Sequence, residues 1–303
     1  MDDSENKDTE QLKLLLEKGD YFDLTELVTK KTHKQRMKLR QLYSSKYKID
    51  LMTDLKSDLS GLYKKIMLAL FTDPVEYDVD SIYYSIKNGY SPNTLIEIFA
   101  SRPDWYLNKI KNIYLKKYNI QLEDHIGEGN LDDFKKLILQ ILQCKRSTNQ
   151  APDLDQCKQL ADELEQEESN DISIDSPIIN SIFMLLSPQE LIIVCKEYHK
   201  STQKTIIEMI NETFKGNAKK LLNAILMAKI SPSEYFANAL HEALADNSFD
   251  ESIINILVSR ANIDLNRIKQ YYFKLYNADL VDDIMIKDRS EYINLLVGIC
   301  GKN

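Results

Sequence analysis

A long segment of the sequence occurs twice, and this duplication limits the possible folds more than any other feature of the chain. Residues 95–126 read LIEIFASRPDWYLNKIKNIYLKKYNIQLEDHI, and residues 253–284 read IINILVSRANIDLNRIKQYYFKLYNADLVDDI. When the two segments are aligned without a gap, nearly half of the positions are identical, including Tyr114 with Tyr272. So long a match at a single offset indicates an internal repeat.

Weaker copies of the same pattern occupy other parts of the chain. In the first copy, apolar or aromatic residues recur at every fourth position from Ile110 to Ile126. Residues 39–55 repeat this spacing, and residues 194–210 repeat it with one polar residue. The spacing therefore predicts related helices in four successive repeats.

Proline residues indicate where the repeats begin. Pro74, Pro152 and Pro232 each stand before a new helical pattern, where a residue without an N–H group interrupts the preceding helix. We therefore predict a polar N-terminal tail followed by four repeats. The predicted ranges are 1–9 for the tail, 10–73 for repeat I, 74–150 for repeat II, 151–230 for the divergent repeat III and 231–303 for repeat IV.

The composition favours an all-α fold. Hydrophobic residues make up 43% of the 303 positions, which is enough for a sizeable core, and eight glycines and seven prolines leave few positions for the turns of a sheet. Apolar residues follow a helical period throughout, and no alternating strand pattern is present. We expect the first two helices at residues 10–18 and 23–30.

Charge and motif content exclude several classes of function. The net charge is −8, so the overall balance gives no support for nucleic acid as a partner. The cysteines form no CxxC pair, the histidines show no metal-ligand spacing, and the sequence contains no nucleophile elbow or phosphate-binding loop. A signal peptide and an apolar run of membrane-spanning length are also absent from the sequence. We therefore expect a non-enzymatic cytoplasmic protein with reduced cysteines.

Several strings of the sequence resemble the annexin family. They are DLKSDLSG at residues 54–61, PVEYD at 74–78, LIEIFASR at 95–102, QLED at 121–124 and IINILVSR at 253–260, in the order and spacing of that family. The terminal Cys300-Gly301 pair is similar to the end of the fourth annexin repeat. The divergence of the chain also resembles that of the alpha-giardins, the protist branch of the annexins.

The resemblance implies a particular architecture and activity. It implies four five-helix repeats that form a curved disc, whose convex face binds acidic phospholipid membranes through calcium. Such a protein is peripheral, at the inner face of membranes, and calcium offsets the repulsion between an acidic protein and an acidic bilayer. Each calcium site of the family takes backbone carbonyls from a GxGT loop between the first two helices of a repeat. A bidentate carboxylate comes from the loop between the fourth and fifth helices.

The GxGT string is absent from this sequence, so the candidate calcium ligands are identified by position. Repeat IV is the preferred site. There the carbonyl positions of the family match Ala243, Ala245 and Asn247, and the carboxylate position matches Asp288. Asparagine tolerates positive φ angles almost as glycine does, so Asn247 can hold a tight loop.

Repeat II offers a second candidate site. Ser85, Lys87 and Gly89 match the carbonyl positions of the family, and Glu128 matches the carboxylate position. In both repeats the set is a few neutral oxygens and one carboxylate. Because calcium accepts about six to eight oxygens, lipid phosphate would have to complete the shell.

Repeats I and III match the family site only in part. Asp58 of repeat I and Glu212 of repeat III occupy the carboxylate position. In repeat I the opposing loop is shortened at residues 17–22. In repeat III an acidic stretch at residues 165–177 replaces the loop, and we interpret this stretch as a solvated connector.

Two functions therefore compete. The first is calcium-dependent peripheral binding of acidic phospholipid membranes, without catalysis. The second is an annexin-fold scaffold that has lost most calcium sites and binds protein, for instance cytoskeletal elements, as the resemblance to the giardins implies. A third, an unrelated helical-repeat adaptor, would require the motif matches to be accidental.

Overall fold

The structure is all-α, as the sequence predicts. The computed structural model describes residues 3–89, 91–147, 151–170, 172–245, 250–287 and 290–301, and no β-strand occurs among them. Repeat I contains α1 (Asp3–Lys18), α2 (Tyr21–Thr29), α3 (His33–Tyr47), α4 (Leu51–Asp58) and α5 (Gly61–Leu70). Repeat II contains α6 (Pro74–Lys87), α7 (Pro92–Ser101), α8 (Asp104–Tyr118), α9 (Leu122–Gly127) and α10 (Asp133–Ile141).

Repeats III and IV have the same order of helices. Repeat III contains α11 (Leu154–Glu168), α12 (Pro177–Asn180), α13 (Pro188–Thr202), α14 (Ile206–Thr213) and α15 (Gly216–Ile230). Repeat IV contains α16 (Pro232–Ala245), α17 (Asp250–Arg260), α18 (Leu265–Tyr276), α19 (Leu280–Lys287) and α20 (Glu291–Cys300). In repeat III the second helix is altered, because the short α12 continues into a π-helical segment, Ser181–Leu185.

The first helix begins earlier than the sequence indicated. It begins at Asp3 rather than at Glu10, and Thr9 on this added part is fully buried. Asp8 forms an ion pair with Lys31, which follows α2. The residues before Glu10 have no apolar periodicity, and for that reason the sequence resembles a tail there. One buried threonine and a charge pair connect this part of the helix to the repeat instead.

A buried tyrosine on the third helix is the most regular feature of the core. Tyr43, Tyr114, Tyr198 and Tyr272 have no exposed surface. In three repeats the hydroxyl bonds to the side chain eleven positions later, on the fourth helix. The distances are 2.5 Å from Tyr43 to Asp54, 2.5 Å from Tyr114 to Nδ1 of His125, and 2.7 Å from Tyr272 to Asp283. These bonds join the third helix to the fourth.

Repeat III replaces this bond with another. The residue eleven positions after Tyr198 is Met209, which offers no comparable acceptor. The Tyr198 hydroxyl instead donates to Glu168, at the end of α11. The buried phenol therefore keeps a partner, but the partner lies on the first helix of the repeat rather than the fourth.

The third helix ends in the same conformation in every repeat. Its C-cap residue is left-handed, with φ of 61° at Lys48, 55° at Asn119, 60° at Gln203 and 51° at Asn277. Asparagine tolerates this conformation, whereas longer side chains are found there less often. Because lysine and glutamine also adopt it here, the packing of the repeat and not the residue type determines this corner.

The chain divides into two compact units. Unit 1 consists of Met1–Tyr77 and Phe236–Asn303, and unit 2 is Asp78–Tyr235. In unit 1, α2 packs closely against α20, where a Cβ atom on Gly298 would lie only 2.9 Å from Cγ2 of Thr29. In unit 2, α7 packs against α15, and α11 packs against α13. Unit 1 thus joins the first and last repeats, and unit 2 joins the middle two.

A buried ion pair holds α7 against α6 in unit 2. Arg102 donates to both oxygens of Asp78, at 2.8 and 3.2 Å, and lies 3.4 Å from Glu97. All three side chains are more than nine-tenths buried. Burial lowers the pKa of Arg102, but the two carboxylates raise it by more, so that the pKa lies above its ordinary value. The guanidinium is therefore charged at any pH at which the protein folds.

Arg102→Ala is expected to lower the free energy of unfolding by about 3–5 kcal/mol, because two buried carboxylates would lose their counter-charge. Denaturant unfolding followed by circular dichroism measures this change. Lys30→Ala is the control, because the pair of Lys30 with Glu26 is exposed and such pairs contribute little. Equal stability of Arg102→Ala and the parent would contradict the role assigned to the ion pair.

Candidate calcium sites

The carbonyl positions of repeats II and IV lie at the C-terminal end of the first helix. Ser85 and Lys87 occupy the last turn of α6, and Ala243 and Ala245 occupy the last turn of α16. The last carbonyls of a helix have no partner within the helix and carry a partial negative charge. This end of the first helix is therefore suited to a cation.

The carboxylate positions lie at the C-terminal end of the fourth helix. Asp58 is the last residue of α4, Glu128 is the C-cap of α9, and Glu212 is next to the last residue of α14. All three residues are exposed. A carboxylate at the negative end of a helix is electrostatically unfavourable, and a bound cation offsets that repulsion. Among the described residues, no three His, Cys, Asp or Glu side chains group closely enough to hold a metal ion.

In repeat II all four of the predicted calcium ligands lie in the described part of the chain. Gly89 has a φ of 93°, a left-handed backbone that favours glycine, and it turns the chain after α6. The Ser91 amide donates to the Ser85 carbonyl over 3.2 Å, which uses one of the two lone pairs of that oxygen. The Glu128 side chain is exposed, while its own carbonyl accepts a bond of 2.5 Å from Lys135 Nζ. Neutral oxygens and a carboxylate are the kinds of ligand that calcium prefers.

The preferred site, in repeat IV, falls partly on residues outside the described part of the chain. Asn247 and Asp288 are both outside it. Within it, α16 ends at Ala245 and α19 ends at Lys287, so the predicted ligands follow the same two helix ends as in repeat II. The complete set of repeat IV ligands stays a prediction.

The turn between the first two helices of repeat I is closed by its own hydrogen bonds. The Gly19 amide donates to the Leu16 carbonyl and the Asp20 amide to the Leu15 carbonyl, both over 3.1 Å. These are the two bonds of a Schellman motif, which satisfies the carbonyls at the end of α1. The Asp20 side chain caps α2 by accepting a bond from the Asp23 amide. The turn is also shorter than that of repeat II, because α2 begins at Tyr21, so repeat I offers a poorer set of oxygens.

In repeat III the protein supplies its own cation to the carboxylate position. Lys204 Nζ lies 2.6 Å from Glu212 and 2.5 Å from Glu168. Hydrogen bonds to Glu168 and Glu212 raise the pKa of Lys204 above its ordinary value. The ammonium group therefore pairs with the carboxylate at the predicted calcium position. Sequence comparison by position did not identify this lysine.

The acidic stretch of repeat III connects α11 to α12 only in its second half, and it is not solvated along its whole length. Residues 165–168 belong to α11, and Ile172 and Ile174 are buried. Ser176 is the N-cap of α12, and its hydroxyl donates to Glu167. Because acidic residues dominate this stretch, the sequence interpretation overlooked the two isoleucines that pack into the core.

Exposed apolar side chains lie close in sequence to two of the carboxylate positions. Leu131, three residues after Glu128, is 44% exposed, and Ile286, two residues before Asp288, is 78% exposed. Exposed side chains of this type can enter the boundary between lipid headgroups and acyl chains. None of the described helices is both long enough and apolar enough to span a bilayer.

Comparison with known families gives the relationship of the chain. The sequence model of the annexin family matches residues 7–70, 77–141 and 235–299, which together are more than half of the chain. The chain belongs to the annexin family. One match falls on each of repeats I, II and IV. The altered repeat III of this annexin lies outside the matches.

The similar proteins include several mammalian annexins. This annexin is 30% identical to Mus musculus annexin A11 over 275 residues, which are 90% of this chain but 55% of that protein. It is 28% identical to Homo sapiens annexin A1 over 294 residues, 96% of this chain and 85% of that protein. It is 30% identical to Mus musculus annexin A3 over 282 residues, 92% of this chain and 87% of that protein. The chain thus spans about half of annexin A11 and most of annexins A1 and A3.

Solved structures agree with the family at the level of the fold. The structure of annexin III superposes with a TM-score of 0.93 at 30% identity, over 100% of this chain and 95% of that one. The structure of calcium-bound alpha-1 giardin superposes with a TM-score of 0.81 over 98% of each chain. Its identity of 15% shows a shared fold alone.

Gly89→Ala is expected to lower the free energy of unfolding by about 1–2 kcal/mol, because alanine is strained at positive φ. A Cβ atom built there has no neighbour within 4 Å, so the cost arises from the backbone alone. Gly127→Ala is the matched control, since Gly127 lies in α9 without a left-handed φ and also has space for a methyl group. Thermal unfolding compares the two variants, and equal midpoints would contradict the assigned loop conformation.

Proposed function

We propose that this annexin binds acidic phospholipid membranes peripherally and in a calcium-dependent manner, without catalysing a reaction. The observation that carries the proposal is the oxygen set of repeat II. It combines the C-terminal carbonyls of α6, the turn at Gly89 and the exposed carboxylate of Glu128. Calcium is present in the solved structures of annexin (Sm)1 and alpha-1 giardin, which have the same fold.

The ligand set explains why a membrane would be part of the site. Calcium would bridge the protein oxygens and the phosphate of a lipid headgroup, since the chain itself supplies fewer than about six oxygens. A set with one carboxylate corresponds to weak binding without lipid, with a dissociation constant of about 10⁻⁴–10⁻³ M. Leu131, beside Glu128, would add apolar contact with the bilayer.

The four repeats are proposed to contribute unequally. Repeat IV, through Ala243, Ala245, Asn247 and Asp288, joins repeat II as a main site. Its exposed Ile286 lies two residues before the carboxylate position, whereas Leu131 of repeat II lies three residues after it. Asp58 of repeat I is a weaker candidate, because the opposing turn is already bonded. Glu212 of repeat III is the weakest, because Lys204 neutralises it. A protein of this kind would lie in the cytoplasm, at the inner face of membranes.

A second function is favoured by the state of repeats I and III. In repeat I the turn between the first two helices is short and closed by its own backbone bonds, and in repeat III the carboxylate position is paired with Lys204. An annexin-fold scaffold that has lost most calcium sites would retain the four-repeat core and bind protein, for instance the cytoskeleton. Such a scaffold would not require calcium for its interaction.

Glu128→Ala and Asp288→Ala are each expected to raise the calcium concentration for half-maximal liposome binding by about tenfold. Each variant removes the only carboxylate assigned to its site. Co-sedimentation with liposomes that contain phosphatidylserine, over a calcium titration with an EDTA blank, measures this shift. Glu212→Ala is the matched control and should bind as the parent does, because Lys204 already neutralises Glu212.

The possible outcomes separate the two functions. Equal binding of the parent in calcium and in EDTA would refute calcium dependence. Absence of binding at every calcium concentration would support the scaffold. If both variants bind as the parent does while the parent requires calcium, the site lies elsewhere and Asp58 is the next candidate.

A further inference from the structure

Repeat I contains a strongly basic helix in a protein that is acidic overall. Residues 30–48, which include α3, read KKTHKQRMKLRQLYSSKYK, with eight lysines and arginines and no acidic residue. Five of these residues are exposed, and Lys34, Lys38 and Lys48 are three of them. None of the three forms an ion pair with a carboxylate among the described residues.

The remaining cations of this segment are engaged inside repeat I. Arg36 is buried and bonds to backbone carbonyls, including that of Leu70 at 3.0 Å. Arg40 holds both oxygens of Asp50, at 3.1 and 2.9 Å. Lys46 pairs with Glu10 at 2.5 Å. The charge that α3 offers to another molecule therefore comes from Lys34, Lys38 and Lys48.

A groove lies beside the C-terminal half of α3. Its lining includes Met37, Ser44, Lys48 and Ile49. Ile49 is 45% exposed, which is high for a large apolar side chain. The groove thus combines apolar side chains with a cationic edge.

Helix α11 of repeat III carries the opposite charge. It contains six acidic residues and one basic residue, Lys158. Glu167 and Glu168 are bonded to Ser176 and Tyr198 within the repeat. On the outer face, Asp155 and Asp162 are exposed. Leu154, the first residue of α11, is 65% exposed between two aspartates.

Each helix carries part of its charge at the electrostatically unfavourable end, in addition to Lys46 in the last turn of α3 and Asp155 in the first turn of α11. A helix favours anions at its N-terminus and cations at its C-terminus. Lys34 lies in the first turn of α3, which contains no acidic residue. The last turn of α11 contains glutamates and no basic residue. If the two helices are placed antiparallel, the exposed Asp155 lies toward Lys48 and the exposed Asp162 lies toward Lys38.

We propose that α3 of one copy of this chain binds α11 of a second copy in an antiparallel arrangement. Each helix has 15 residues, so the exposed Asp155 and Asp162 of one copy can lie beside the exposed lysines of α3 in the other. The antiparallel orientation brings Leu154 to the C-terminal end of α3, where the groove beside Ile49 receives it. The contact joins different surfaces of the two copies, head to tail.

The association is weak and salt-sensitive, because exposed ion pairs contribute little individually and are screened by salt. Sedimentation velocity of the full chain in EDTA tests it, at protein concentrations up to about 100 μM. The association constant should fall at least about tenfold when salt is raised from about 50 to about 300 mM. Because calcium is absent, this result is independent of the proposed membrane function.

Charge reversal on each helix provides the specific test. Lys34→Glu/Lys38→Glu makes α3 acidic, and Asp155→Lys/Asp162→Lys makes α11 basic. Each double variant alone should be monomeric, because its two surfaces now repel each other. An equimolar mixture of the two variants should associate again, because the unaltered α11 of the first variant meets the unaltered α3 of the second. Recovery on mixing cannot arise from variants that fail to fold.

Lys116→Glu/Lys220→Glu is the control, with the same change in net charge at two other exposed lysines. It should associate as the parent does. A parent that stays monomeric at low salt, or a mixture that does not recover, would overturn the proposal. Binding of α3 to vesicles of acidic lipid in EDTA, lost in Lys34→Glu/Lys38→Glu while the parent stays monomeric, would also overturn it and assign this face to lipid.

Discussion

The hydroxyl of a buried tyrosine on the third helix needs a partner, and most of each repeat is arranged around that need. A phenol removed from water without a hydrogen bond is costly, so the fourth helix must place an acceptor beside it. In repeat IV, burial and then the bond to Asp283 raise the pKa of Tyr272, which keeps the hydroxyl protonated as a donor. In repeats I, II and IV this bond joins the third helix to the fourth, at whose end the carboxylate position lies. The left-handed corner is also present in repeat III, where the bond is absent, so the packing of the repeat determines the corner.

Repeat III shows what happens when the acceptor is lost. With methionine at position 209, Tyr198 bonds to Glu168, and Glu168 also holds Lys204. A second lysine of the repeat bonds to the π-helical segment and the residue after it. Buried Lys229 donates to the carbonyls of Phe183 and Leu186 at 2.6 and 3.3 Å. Burial, together with the charge of Arg146, lowers the pKa of Lys229 well below its ordinary value. The divergent repeat thus keeps its fold with bonds from its own lysines, Lys204 and Lys229.

Local patterns in the sequence were sufficient for much of this structure, and contacts between distant residues explain the remainder. The duplication and the helical period predicted the all-α fold, and Gly89 lies in a tight turn where the family comparison required one. The start of α1 was missed because a buried threonine and the pair of Asp8 with Lys31 depend on a neighbouring helix. Lys204 was missed for the same reason: it lies near Glu212 in sequence, but Glu168, which helps to hold it, is on α11. The ligands of repeat IV were predicted by position, and their geometry stays a prediction.

The division into two units has a consequence for how the chain folds. Unit 2 is continuous in sequence, so all of its helices exist once residue 235 has been synthesised. Unit 1 requires α2 and α5 to pair with α17 and α20, which are made last. The entropic cost of closing so long a loop is smaller if the intervening segment is already compact. We therefore expect the middle of the protein to fold first during synthesis. The apolar faces of the first repeat stay exposed until the fourth repeat has been synthesised, and during that time chaperones can bind them.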